Sequence, residues 1–85
     1  MKVEVPVSCS PVRNGFLARS AAIGMAGMGK SEAEAREALR RSVHAWCMGL
    51  RRSDLLEDVL DRRGVKWSNG RHGLIISIST ATGHS

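Results

Sequence analysis

The chain opens with alternating hydrophobic and polar residues. Val3, Val5 and Val7 fall on one face of an extended segment, which predicts a β-strand with one buried face. Because Pro6 cannot donate a ladder hydrogen bond, we expect this strand to end early or to lie at a sheet edge. Residues 10–15 have turn chemistry, and Asn-Gly at 14–15 is a strong hairpin signal.

Two further strands are predicted before the first helix. The second runs from Phe16 to Ser20, and a short, irregular third runs from Ile23 to Met28 through a glycine-rich stretch. Short connections between consecutive strands favour antiparallel pairing. The first three segments therefore predict an antiparallel meander.

The clearest periodicity predicts a helix over residues 31–50. Ser31 followed by Glu34 has the form of a capping box, in which hydroxyl and carboxylate satisfy amides at the helix start. Hydrophobic positions recur at intervals of three and four and form one stripe, which consists of Ala35, Leu39, Val43, Trp46 and Leu50.

The remainder of the chain predicts a shorter helix over 53–63, capped by Ser53 and ended by Gly64, then a turn over 68–73 and a strand over 74–79. The predicted fold class is α+β: a small antiparallel sheet, in the order β-β-β-α-α-β, with one long helix packed across it. Residues 2–79 are expected to form a single domain, and 80–85 a disordered tail.

Length and cysteine usage bear on the cellular location and on self-association. Cys9 lies in a turn-like segment and Cys47 within the predicted helix, so no disulfide is expected. The start has no continuous hydrophobic leader and no run reaches the length of a membrane span. We therefore expect a cytoplasmic protein without a membrane partner. Its 85 residues allow one thin core, which favours self-association.

The charge balance is basic, since thirteen Lys and Arg against eight Asp and Glu give a formal net charge of +5. Such a surplus favours an anionic partner, either nucleic acid or an acidic protein patch. The Arg pairs at 40–41, 51–52 and 62–63 are spread along the chain, which is equally typical of solvated helices. The few aromatic residues do not alternate with basic ones, so no base-stacking platform is predicted.

Residues Gly24 to Ser31 match the P-loop pattern G-x-x-x-x-G-K-[ST], in which backbone amides, Lys and Ser bind nucleotide phosphates and magnesium. A P-loop also needs a parallel sheet and a metal-positioning carboxylate on a neighbouring strand. Only one late strand follows, and it carries no acid. We therefore interpret Gly27 to Ser31 as a tight strand-to-helix turn that ends in a helix cap.

Other residues with reactive side chains form no complete site. His44 and Cys47 are three apart on one helix, but zinc needs two further ligands. A nucleophilic pair of Cys9 and His72 matches no motif. Trp67 is interpreted as part of the core rather than as an exposed contact. We predict no catalytic, cofactor-binding or metal-binding residue, and hence a protein that is not an enzyme.

The order of segments resembles the HicB-like antitoxin family. The motifs that carry the resemblance are Phe16-Leu17-Ala18 on a strand and Gly29-Lys30-Ser31-Glu32-Ala33-Glu34-Ala35 before the long helix. They match the family patterns F-x-A and G-x-[ST]-x-x-E-A. The resemblance covers roughly residues 2 to 65.

This resemblance implies a partial RNase H-like fold without nuclease activity. It also implies a protein-binding role in a toxin–antitoxin system, with a small basic toxin as the partner. We expect a homo-oligomer, either a dimer or a tetramer. Because one strand and a short tail follow Gly73, we expect a short form without a DNA-binding module. The alternative is a small basic nucleic-acid-binding protein.

Overall fold

The structure, a computed structural model that describes residues 1–71 and 73–80, confirms the α+β class, with a long helix packed across a five-stranded sheet. Of the predicted tail, 81–85 lie outside the described residues. The elements in chain order are β1 (Lys2–Val12), β2 (Gly15–Ser20), β3 (Met25–Gly29), α1 (Glu32–Arg52), α2 (Leu56–Arg62), β4 (Lys66–Ser68) and β5 (Ile75–Thr80).

Strand β1 is the centre of the sheet. It pairs with β2, and β2 with β3, in the predicted antiparallel meander. Residues Lys2 to Glu4 pair with β4 on one edge and with β5 on the other. Strand β5 is parallel to β1, unlike every other pairing, because the chain crosses over through both helices before it returns.

The expectation that β1 ends at Pro6 or lies at an edge is wrong. Ile75 donates to the Met1 carbonyl at 2.9 Å, so odd-numbered β1 residues turn their amides towards β5. The nitrogen of Pro6 therefore faces the opposite edge. There it falls between the last pair with β4, at Glu4, and the first pair with β2, at Ser8. The missing N–H thus interrupts neither antiparallel ladder.

The core lies between α1 and one face of the sheet, which we call the covered face. The three alternating valines of β1 are buried on it, as the sequence predicts. Helix α1 packs most extensively on β3, then on β2, β5 and β1. The buried residues of α1 are Ala35, Leu39, Val43 and Cys47, and those of α2 are Leu56 and Leu60.

The predicted capping box is present in part at the start of α1. The Glu34 amide donates to Ser31 Oγ at 3.2 Å. The Glu34 carboxylate in turn accepts a hydrogen bond from the Lys30 amide at 3.2 Å, one residue before the cap. The Ser31 hydroxyl thus satisfies one amide that the helix leaves without an intrahelical partner, whereas the Glu34 carboxylate binds the amide just before the cap instead of the Ser31 amide of a complete capping box.

The end of α1 corrects the prediction for Ser53. This residue is the C-cap of α1 and does not cap α2, whose N-cap, Leu55, makes no side-chain hydrogen bond. Asp54 follows at φ 58°, and the Leu55 amide donates back to the Leu50 carbonyl at 2.9 Å. Residues Ser53 to Leu55 thus form a Schellman-type end of α1, so α2 begins only at Leu56.

Candidate binding surfaces

The glycine segment does not form a phosphate-binding loop. Gly27 and Gly29 lie in β3 and pair with Ala18 and Phe16 of β2. The P-loop alternative is therefore contradicted. The favoured turn over Gly27 to Ser31 is wrong for Gly27 to Gly29, which belong to the strand, while the predicted cap at Ser31 is confirmed. Only Lys30 and Ser31 connect the strand to α1.

Close packing explains these two glycines. A Cβ on Gly27 would lie 2.4 Å from the Leu39 amide nitrogen and 2.9 Å from the Ala35 carbonyl oxygen. A Cβ on Gly29 would lie 2.6 Å from the Ala35 amide nitrogen. Backbone atoms of α1 thus occupy the space that side chains on β3 would fill. The pattern that resembles a nucleotide site serves helix–sheet contact.

The structure does not assemble a metal site from His44 and Cys47. Burial raises the pKa of the Cys47 thiol to about 11, because the thiolate would lose its hydration in the core. Within residues 1–71 and 73–80, no group of three His, Cys, Asp or Glu side chains could hold a metal ion. Cys9 is half-buried beside the core. The Cys9–His72 pair stays untested, since His72 lies outside the described residues.

Trp67 lies at the margin of the core, next to α2. It pairs with Val3 in the β1–β4 ladder, which puts its side chain on the covered face. The ring is half-buried, and its Nε1 donates to Asp61 Oδ1 at 2.9 Å. The interpretation of Trp67 as a core residue therefore agrees with its position. The hydrogen bond also fixes α2 against β4.

One groove of the molecule is acidic. It has a volume of about 650 Å³, and we call it the acidic groove; its lining is Met1, Arg51, Asp54, Leu56, Glu57, Asp58, Asp61, Asn69 and Gly70. Four carboxylates thus face one arginine in a chain whose net charge is +5. Asp58 is also paired with Arg62 at 3.2 Å.

Several basic residues remain without an acidic partner. The ion pairs join Arg36 to Glu32, Arg40 and Arg41 to Glu37, and Arg62 to Asp58, at 2.6–3.5 Å. Hydrogen bonding from Arg40 is the chief reason that the pKa of Glu37 is lowered. In the described part of the chain the other Lys and Arg side chains make no ion pair, and one of them, Arg63, lies 5.8 Å from the centre of the Trp46 ring.

The sheet face opposite α1, which we call the open face, is not covered by either helix. Its side chains alternate with those of the covered face and are exposed or half-buried. The face combines serines, three cations, one carboxylate and a few hydrophobic residues, and the carboxylate, Glu4, lies directly opposite Lys66. Its residues are Lys2, Glu4, Pro6, Ser8, Ser10, Val12, Leu17, Arg19, Ala26, Met28, Lys66, Ser68, Ile75, Ser77 and Ser79.

A second groove runs between α1 and β3. Its volume is about 440 Å³, and its lining is Met28, Ala33, Glu34, Glu37, Ala38 and Arg41. We call it the β3 groove. Met28 is 64% exposed, more than any other large hydrophobic residue that the structure describes. Sequence periodicity assigns these helix residues to the solvated side of α1, so it does not reveal that they flank a strand edge.

No protein-family model, curated protein or solved structure matches this chain. Among the described residues, no helix combines the length and the hydropathy that a membrane crossing requires.

Proposed function

We propose that the chain is a non-catalytic binding domain of the HicB-like antitoxin type, which binds a small basic toxin protein in the cytoplasm and acts as a homo-oligomer. The observation that carries the proposal is the acidic groove. Four carboxylates and one arginine give its lining a side-chain charge of −3, or −2 with the N-terminal ammonium of Met1. Since the whole chain carries +5, the remaining residues carry +8, so the two signs of charge are segregated.

The spacing of the acidic groove residues supports a role in binding. Asp54, Glu57, Asp58 and Asp61 are neighbours at intervals of three and four along one side of α2 and its start. Like charges at this spacing destabilise a helix. A basic partner would offset that repulsion and would be drawn to the groove by long-range attraction. The groove therefore has the charge that a basic toxin requires.

The proposal of a non-catalytic role draws support from the glycine segment. It is the part of the sequence that most resembles an enzyme site, and its residues serve strand pairing, helix contact and helix capping. A P-loop fold would instead place the glycines in a loop around phosphate.

Co-expression tests the proposed function. The product of each reading frame adjacent to its gene is expressed with and without the chain; a small basic product should arrest growth, the chain should restore it, and the two should co-purify. Replacing Glu57 and Asp58 by Lys should abolish both effects, because the side-chain charge of the groove lining changes from −3 to +1 while the Asp61–Trp67 hydrogen bond is kept. The matched control replaces Glu4 and Glu32 by Lys, which are exposed carboxylates outside the groove. Growth that is not restored by the unaltered chain would contradict the proposal.

A second candidate, nucleic-acid binding, is favoured by the open face. Lys2, Arg19 and Lys66 lie there among serine hydroxyls that are suited to phosphate contacts. Binding through these cations should weaken steeply as salt rises, because counterions are released. Fluorescence anisotropy with single- and double-stranded RNA and DNA at low and high salt measures this. Lack of binding at low salt would contradict this candidate.

A further inference from the structure

The outer edge of β3 has no pairing partner among the described residues. The β1–β2 loop closes on the pair Val12–Gly15, and hydrogen-bonded pairs then alternate along the ladder. On β2 the backbone groups of every second residue point to β1, and those of the residues between them point to β3. The hydrogen-bonded partners on β3 are therefore Met25, Gly27 and Gly29, whose amides point towards β2. The N–H and C=O groups of Ala26 and Met28 therefore point outward. They form a short row of unpaired backbone donors and acceptors.

Proteins usually protect a sheet edge by shortness, charged side chains, proline, bulges or a covering segment. This edge is short, at five residues, but it carries neither of the side-chain features. Residues Met25 to Gly29 include neither a charge nor a proline. The edge is instead bordered by the highly exposed Met28 and by the β3 groove. These properties are typical of an edge that pairs with another strand.

We propose that β3 pairs antiparallel with β3 of a second copy of this chain, about a two-fold axis at Gly27. Ala26 of each copy then opposes Met28 of the other, and the outward backbone groups form hydrogen bonds between the copies. The sheet becomes continuous across the dimer. This inference rests on the proposed homo-oligomeric state and specifies its interface.

The charges beside the edge are partly complementary under the same axis. Gly27 lies against the turn of α1 between Ala35 and Leu39, so the axis passes beside α1 near residue 37. The two α1 helices run antiparallel, and Glu34 of one copy faces Arg41 of the other. Glu37 lies near the axis and approaches its own symmetry mate, and its ion pairs with Arg40 and Arg41 of the same copy offset that repulsion. Glu34 and Arg41 both line the β3 groove. The same two-fold axis therefore relates the two β3 strands at Gly27 and the two α1 helices near residue 37. An interface between identical copies requires that every contact obey one axis.

Small side chains permit the two helices to approach. Ala33 and Ala38 line the β3 groove between the charged residues. Packed helices lie about 8–10 Å apart, depending on the side chains at their contact. Because α1 packs chiefly on β3, pairing of the strands brings the two helices side by side. Paired strands lie only about 4.8 Å apart, so the interface requires each α1 to lie back from the edge, towards β2, on which it also packs.

Light scattering coupled to size exclusion, over a concentration series, tests the interface. The unaltered chain should be dimeric. Ala26→Pro removes an outward N–H, and Met28→Lys adds a charge to the edge; each should weaken dimerisation at least ~10-fold, a loss of about 1.4 kcal/mol. The matched control is Ile75→Lys, which changes an exposed hydrophobic residue on the same face but on β5 and should leave the dimer intact.

The outcomes separate this inference from the proposed function. A dimer that both β3 variants leave unchanged would overturn the β3 interface, while self-association would still stand. A chain that is monomeric throughout would overturn both the interface and the proposed homo-oligomer. Circular dichroism reports whether each variant folds. If Ala26→Pro unfolds, Met28→Lys decides the outcome, because its side chain is 64% exposed and leaves the core intact.

Cross-linking tests the register. In a Cys9→Ser background, Ala26→Cys protein is mixed with Met28→Cys protein and oxidised. Directly opposed residues of a hydrogen-bonded pair have Cα atoms about 5.5 Å apart, within disulfide reach. The mixture should therefore cross-link, whereas Ala26→Cys protein alone should cross-link at least ~10-fold more slowly. Equal rates would overturn the two-fold axis at Gly27.

Discussion

The same strands form the covered and open faces of the sheet, but the residue types on the covered face are constrained by packing against α1, and those on the open face are not. On the covered face, the valines of β1 are buried, and Gly27 and Gly29 touch the backbone of α1. On the open face, serines lie among cations, the carboxylate of Glu4 and the exposed Met28. The covered-face residues serve packing, whereas the open-face residues can contact a partner. A motif on the covered face, such as the glycine pattern, is therefore weak evidence for a binding or catalytic site.

The largest expected effect is at Gly27, where the covered face tolerates no side chain. Gly27→Ala places a Cβ 2.4 Å from the Leu39 nitrogen, so α1 must move off the sheet. We expect a loss of roughly 3 kcal/mol or more in the free energy of unfolding. The control is Gly49→Ala in α1, where a Cβ has open space and stability should rise by up to about 1 kcal/mol. Urea unfolding measures both, and similar losses would contradict the packing argument.

The second test compares hydrophobic truncation on the two faces. Leu39 is fully buried, so Leu39→Ala should cost about 2–5 kcal/mol through lost burial and the cavity left behind. Ile75 on the open face is 46% exposed, so Ile75→Ala should cost clearly less, at most about 1 kcal/mol. Thermal and urea unfolding at one protein concentration compare the two. Equal losses would mean that the open face is also part of a packed core.

The third test uses pH, through Cys47 on the buried side of α1. Burial raises the pKa of this thiol to about 11, above its ordinary value of 9.0. The neutral thiol is the form that the fold favours, so its contribution is complete below pH 9.0 and is lost as pH rises through about 11. The free energy of unfolding should fall by roughly 2 kcal/mol over that window.

Cys47→Ala provides the control for the pH effect. Without the thiol, the variant should be less stable at neutral pH but should show a shallower decline at alkaline pH. Identical slopes for the two proteins would assign the alkaline decline to other groups.

The sequence predicted the fold class because its signals are local. The alternating valines of β1 and the Ser31 cap of α1 depend on neighbouring residues alone, and the structure confirms both. The prediction for β1 at Pro6 is wrong, because a missing N–H costs a hydrogen bond only where a neighbouring strand is present to accept it. On that edge β4 pairs up to Glu4 and β2 pairs from Ser8, so neither strand loses a bond at Pro6. The parallel pairing of β5 likewise depends on a crossover that no local pattern encodes.

The binding surfaces were less accessible to sequence reasoning. The acidic groove brings Met1 and Asn69 beside α2, and this juxtaposition exists only in the folded chain. The spacing of acids at 54, 57, 58 and 61 was a usable signal, although first-turn and ion-pair roles accounted for it locally. The sequence predicts a short third strand over Ile23 to Met28, but no local pattern indicates that this strand lies at the sheet edge or that the solvated side of α1 forms a groove with it.

The smallest expected effect concerns Ser20, the one exception to the apolar character of the covered face. Among the described residues it is the buried polar residue, fully removed from solvent, and its Oγ has no hydrogen-bond partner. A buried hydroxyl without a partner forfeits its hydration, so Ser20→Ala should raise stability by up to about 1 kcal/mol. Ser8→Ala, on the exposed open face, should change it by less than about 0.5 kcal/mol. A loss of stability at Ser20 would instead show that its hydroxyl is hydrogen-bonded in solution, and that the covered face contains a polar contact.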